Sequence, residues 1–87
     1  EENSMLQPKI INVIPTKDYK LILTYASGEK KEFNVKPYIS GDWYSELLSI
    51  DYFLSVKLIS DGIGIEWPNG QDISPHELYE NSISLSE

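Results

Sequence analysis

Asp72, Ser74, His76 and Glu77 are the residues whose types and spacing could do chemistry in this chain of 87. The single histidine follows a carboxylate by four positions with a hydroxyl between them, the makings of a nucleophile with its base and orienting acid. Asp72, His76 and Glu77 could equally serve as metal donors if the chain brought them together. Against both stands a structural reading of the same residues. Ser74-Pro75-His76-Glu77-Leu78 spells a helix start. Ser74 caps the free N–H of Glu77, Glu77 reaches back to the Ser74 N–H, Pro75 takes the first helical position and Ile73 staples to Leu78. A capping Ser74 is no nucleophile, and His76 then sits on the outward part of the first turn. With no second histidine and no cysteine, the metal reading lacks its strongest ligands. No catalytic, cofactor-binding or metal-ligating residue is therefore assigned, and no cofactor is expected. A minimal enzyme or metal site around Asp72, Ser74 and His76 is kept as the alternative.

The elements that position this motif are read outward from it. Ile63, Ile65 and Trp67 alternate with Gly64 and Glu66, the period of a strand that buries one face, and Pro68 ends it by withholding a ladder donor. Asn69-Gly70 then supplies a tight turn. Trp67, Pro68, Asn69, Gly70, Asp72, Ser74, Pro75, Glu77 and Leu78 thus form a structural motif. Residues 55–60 read as the partner strand across an Asp61-Gly62 type I′ turn, which sets Leu58 opposite Ile65, Val56 opposite Trp67 and Lys57 opposite Glu66. Tyr19, Leu21, Leu23 and Tyr25 make the apolar side of an earlier strand. A three-residue loop, Ala26-Ser27-Gly28 with Gly28 left-handed, brings Phe33 opposite Leu21 and Val35 opposite Tyr19. The first strand, residues 9–14 between Pro8 and Pro15, is either covered on both faces or bulged near Asn12.

After Val35, Pro37 and Ser40-Gly41 predict a connection that folds over the sheet. It reads as broken helix: Asp42 caps, Trp43 and Leu47 share a face with Leu48 beside them, and a restart at Ser49 or Asp51 delivers Phe53 to the core. Asn81 stops the last helix. The fold class is α+β, an antiparallel sheet of about five strands in two hairpins with two short helical segments on one face. Residues 5–82 make a single domain. Residues 1–4, ahead of Met5, read as a vector-derived remnant, and 83–87 as a loose tail.

Charge narrows the partners. The formal charge is −7, placed unevenly: residues 1–36 hold six lysines against five acids, a net +1, while residues 37–87 hold Lys57 against nine acids, a net −8. The chain has no arginine, so it lacks the planar fork that grips phosphate and guanine, and direct nucleic-acid binding is not expected. No apolar run approaches the roughly 20 residues that span a bilayer, and no signal-peptide pattern opens the chain, so neither membrane contact nor export is expected and the localisation is read as cytoplasmic. The same acidic part carries Tyr38, Trp43 and Tyr44. Apolar anchors rimmed by Asp42, Glu46 and Asp51 suit a basic protein partner. A second copy pairing through a sheet edge is the other association the pattern admits.

Pro8, Val13, Pro15, Asp18-Tyr19-Lys20-Leu21, Gly28-Glu29, Phe33, Val35, Phe53, Val56, Ile65-Glu66-Trp67-Pro68-Asn69-Gly70, Asp72-Ile73-Ser74-Pro75 and Leu78-Tyr79 together resemble a small bacterial family, the domain of unknown function 2442. The likeness runs from Pro8 to Tyr79. It implies a domain of antiparallel strands with short helices and carries no established reaction. Longer relatives append a helix-turn-helix domain, which this chain ends too early to hold, so DNA binding is not carried over. The resemblance also implies a place in toxin–antitoxin-like gene pairs. The expected function is a non-enzymatic protein-interaction module, the acidic partner of a basic protein encoded beside it.

Overall fold

Three strands with aromatic and branched residues at period two open the fold: β1 (Ile10–Pro15), β2 (Lys20–Tyr25) and β3 (Lys30–Asn34). The computed structural model describes residues 7–85; the remnant expected at 1–4 and the last two residues lie outside the described part. On β2, Leu21, Leu23 and Tyr25 point into the core while their neighbours are half-exposed. Leu21 pairs with Phe33 and Val35 donates its N–H to the Tyr19 carbonyl at 2.9 Å, the register that the three-residue loop requires. The β1–β2 register shifts between Ile10 and Asn12, so of the two readings of the first strand the bulge is the one realised. It lets Ile10 point inward while Ile11 and Ile14 stay exposed.

The loop between β1 and β2 repeats the geometry of the next one with an unexpected residue. Thr16 donates to the Lys20 carbonyl at 2.8 Å and Tyr19 to the Thr16 carbonyl at 3.2 Å, which leaves Tyr19 left-handed at φ 64°. Left-handed backbone costs a non-glycine residue about 1–2 kcal/mol. Long-range ties offset that cost: the Tyr19 hydroxyl donates to the Leu48 carbonyl, and its ring packs edge-on against Phe53 at 5.3 Å.

The second half builds a separate sheet from β4 (Lys57–Ile59), β5 (Gly64–Glu66) and β6 (Asp72–Ile73). Lys57 faces Glu66, Leu58 faces Ile65 and Ile59 faces Gly64, as the Asp61-Gly62 turn dictates. Both turn residues have positive φ, 58° and 93°. Ile63, expected to share the buried face of β5, is exposed instead, because the strand begins only after it. Gly62 is buried, and a Cβ there would collide with the Ile10 carbonyl oxygen. The turn therefore presses its bare backbone against β1.

Two features depart from the five-stranded expectation. Asp72 and Ile73, not expected as a strand, pair with Glu66 and Ile65 as β6. Ile83 and Ser84, expected in a loose tail, form β7 (Ile83–Ser84) against Glu32 and Lys31, and Leu85 donates its N–H to the Lys30 carbonyl at 2.7 Å. The antiparallel α+β class stands, but the described residues hold seven strands in two sheets, ordered β1-β2-β3-β7 and β4-β5-β6.

The helical segments are short: α1 (Gly41–Tyr44), a 3-10 turn over Ser45–Leu48, α2 (Ile50–Phe53) and α3 (Pro75–Glu80), with a further 3-10 turn over Lys36–Tyr38. None could stand alone in water. Leu47, Phe53 and Leu78 hold them on the sheets, joining Leu23, Ile65 and Trp67 in one buried cluster.

Candidate functional site

The broken helix over residues 41–53 is where the sequence places the partner-binding residues. It starts from Ser40, not Asp42: Ser40 occupies the cap position without a side-chain bond, and Asp42 lies within α1, exposed. Because α1 tightens into a 3-10 turn at Ser45, Trp43 and Leu47 no longer share a face. Leu47 is fully buried, whereas Trp43 and Leu48 are 54% and 58% exposed. Ser49 takes the cap position of α2, and Phe53 reaches the core as expected.

What fixes this segment is a residue the sequence reading passed over. Gln71 is fully buried, and its amide donates to the Trp43 carbonyl and to Glu46 Oε1, both at 2.9 Å. Its Oε1 accepts from the Tyr52 hydroxyl at 2.6 Å. Tyr52 in turn accepts the Asn69 N–H at 2.8 Å, and the Asn69 side chain donates to both oxygens of Glu46. Trp67 completes the attachment by donating Nε1–H to the Phe53 carbonyl at 2.8 Å. Every buried polar atom in this network is paired, which is the condition under which such a network rigidifies a fold. Glu46 is thus an anchor of the scaffold. Hydrogen bonds from Asn69 and then Gln71 hold its carboxyl below the ordinary carboxylate value.

Beside this network lies a cleft of about 300 Å³ lined by Tyr38, Tyr44, Asp72, Ile73, Ser74 and Glu77. Tyr44 donates its hydroxyl to the Asp72 carbonyl at 3.0 Å. Tyr38 packs on Phe33 with ring centres 5.2 Å apart and donates a short hydrogen bond to Glu77. Ser74 accepts the Glu77 N–H at 3.1 Å, so half of the expected capping box is present. The returning half is absent, because the Glu77 carboxylate binds Tyr38 and the Asn81 side chain instead. These two bonds, Tyr38 first, lower the Glu77 pKa, and the same carboxylate raises that of Tyr38.

The structure separates the residues of the enzymatic alternative. Asp72 and Ser74 line the cleft, but His76 is exposed on α3 and does not. Among the described residues no three histidine or carboxylate side chains converge to hold a metal ion. Of the partner-binding set, Trp43, Asp42 and Asp51 are exposed, Tyr38 and Tyr44 are half-buried cleft walls, and Glu46 is engaged internally.

A family model described as Protein of unknown function (DUF2442) matches residues 10–84. The chain belongs to that family. Comparisons with curated proteins and with solved structures found no match. The matched span of this DUF2442 chain takes in both sheets, the Gln71 network and the cleft. No helix among the described residues is long and apolar enough to cross a membrane.

Proposed function

We propose that this DUF2442 chain is a non-enzymatic protein-interaction module of the bacterial cytoplasm, the acidic partner of a basic protein encoded beside it, such as a toxin that it neutralises. The observation that carries this reading is the mounting of Trp43. Its side chain is 54% exposed while its carbonyl is held by the buried Gln71. A tryptophan presented on a fixed backbone loses little freedom on binding, and tryptophan is among the residues that dominate interface energies. Asp42 and Asp51, both exposed, supply negative charge that speeds encounter with a basic surface. The enzymatic reading is weakened by the exposure of His76 outside the cleft and by the engagement of the Ser74 hydroxyl as a cap.

Co-expression with the neighbouring gene, followed by purification through one partner, tests the proposal. The pair should co-purify, associate more slowly as salt rises, and bind about 30-fold more weakly after Trp43→Ala, the effect of losing a 2 kcal/mol anchor. The absence of a complex, or association indifferent to salt, overturns it. Self-association through a sheet edge would appear as a concentration-dependent mass of the protein alone.

A further inference from the structure

The cleft beside Trp43 has a composition that selects for one kind of group. At about 300 Å³ it lies at the lower limit of ligand pockets, with room for one side chain. Its walls bring two tyrosines together with two carboxylate residues, and among the described residues neither lysine nor histidine lines it. An anion placed there meets Asp72 and Glu77 with nothing to neutralise it. A cation meets aromatic rings and carboxylates together, a combination that favours positive charge from two independent sources.

We infer that this cleft, lined by Tyr38, Tyr44, Asp72 and Glu77, receives the guanidinium of an arginine side chain carried by the basic partner. The inference rests on the interaction-module reading and names the contact that gives it specificity. The walls are held in place before any ligand arrives. Tyr38 is fixed by Glu77 and by Phe33, and Tyr44 by the Asp72 carbonyl. Glu77 is further occupied by Asn81. The Asp72 carboxylate, by contrast, is bonded to no donor among the described residues, and Asp72 is exposed, so it is the acceptor left for an incoming group. A guanidinium suits this arrangement better than an ammonium, since it is planar, weakly hydrated, stacks on aromatic rings and presents paired donors to a carboxylate. Trp43 precedes the cleft residue Tyr44 in α1, and its carbonyl is held by Gln71, the residue before Asp72.

The test uses the whole protein, isotope-labelled for NMR, titrated with the capped tripeptides acetyl-Gly-Arg-Gly-amide and acetyl-Gly-Lys-Gly-amide. The arginine peptide should give saturable shifts confined to Tyr38, Tyr44, Asp72 and Ser74, with the lysine peptide several-fold weaker. Asp72→Asn, whose carboxylate supports nothing in the fold, should weaken arginine binding about tenfold, the loss expected for one charge-assisted hydrogen bond. Equal responses to the two peptides, shifts spread over the acidic surface, or indifference to Asp72→Asn overturns the arginine site even if a protein partner is found. Arginine binding in the cleft with no basic partner would uphold the site and remove the module reading instead.

Discussion

Residues 26–28 and 68–70 make the same loop. In each, the residue before the loop donates its N–H to the carbonyl of the residue after it, Tyr25 to Glu29 and Trp67 to Gln71, both at 2.9 Å. The third loop residue is a left-handed glycine, Gly28 at φ 97° and Gly70 at φ 96°. The side chains make the difference. Around the first loop, Glu29 is half-exposed and its carboxylate accepts the hydroxyls of Ser27 and Tyr79, while Lys31 lies over the Tyr79 ring and the buried Tyr25 hydroxyl has no partner among the described residues. Around the second, the buried Gln71 is fully paired and Trp67 finds the Phe53 carbonyl. One backbone solution thus serves as a plain reversal in one sheet and as the mount of the binding region in the other. What a turn does in this fold is decided by the residue that follows its glycine.

The largest expected effect that tests this contrast is at that residue. Gln71→Leu takes the acceptor from the Tyr52 hydroxyl and the donor from the Trp43 carbonyl, and should cost about 2–4 kcal/mol in denaturant unfolding, with the fluorescence of Trp43 changing as its support is lost. Glu29→Ala at the matching position should matter less. Comparable losses would mean that the two loops carry the fold equally. Next in size is a pair of tyrosine substitutions with opposite signs. Tyr52→Phe removes a hydroxyl with two partners and should destabilise by about 1–2 kcal/mol, whereas Tyr25→Phe removes an orphan and should be neutral or stabilising by up to about 1 kcal/mol. The Tyr25 phenol is already pushed up to about 12 by burial and then by Tyr79 and Glu29. A destabilising Tyr25→Phe would show that this hydroxyl has a partner after all.

Acid provides the smallest and most graded comparison. The carboxyls of Glu46 and Glu29 are both held below the ordinary carboxylate value, through hydrogen bonds from Asn69 and Gln71 in one case and from Ser27 and Tyr79 in the other. A carboxyl depressed on folding stabilises the protein above its unfolded pKa, and that contribution is lost as pH falls through the folded value. Urea midpoints from pH 7 to pH 3 should therefore fall less steeply for Glu46→Gln and Glu29→Gln than for the parent. The greater flattening belongs to Glu46→Gln, whose donors belong to a fully paired network. Equal flattening would erase the distinction between the loops.

Much of each hairpin was legible because register is a local property. Loop length and a left-handed glycine fixed Leu21 against Phe33, and Asp61-Gly62 fixed Lys57 against Glu66. The Ser74 cap and the broken helix were readable for the same reason. What escaped is settled by distant neighbours. Asp72 and Ile73 are too few to show a period, and Ile83 and Ser84 become a strand only because β3 offers an edge. Tyr19 adopts a glycine's conformation because its hydroxyl and ring find Leu48 and Phe53. Gln71 looked like a polar loop residue, since nothing local says that Tyr52, Glu46 and Trp43 will surround it. The candidate site was half visible: the sequence named Trp43 and Tyr44 as anchors beside acids but did not decide whether they are exposed, and the cleft joins residues 38 and 44 to 72–77 and has no sequence signature.

The contact between Gly62 and Ile10 bears on how fast this chain reaches its native state. Each hairpin can close within microseconds from neighbouring residues. Joining the tip of one to the first strand of the other requires a far larger loop to close, with its entropic penalty met before the shared core can form. Because backbone meets backbone there with no room for a side chain, the docking of the two sheets has little tolerance for approximate arrangements. This buried glycine therefore bears on the time course of assembly as well as on the depth of the final minimum.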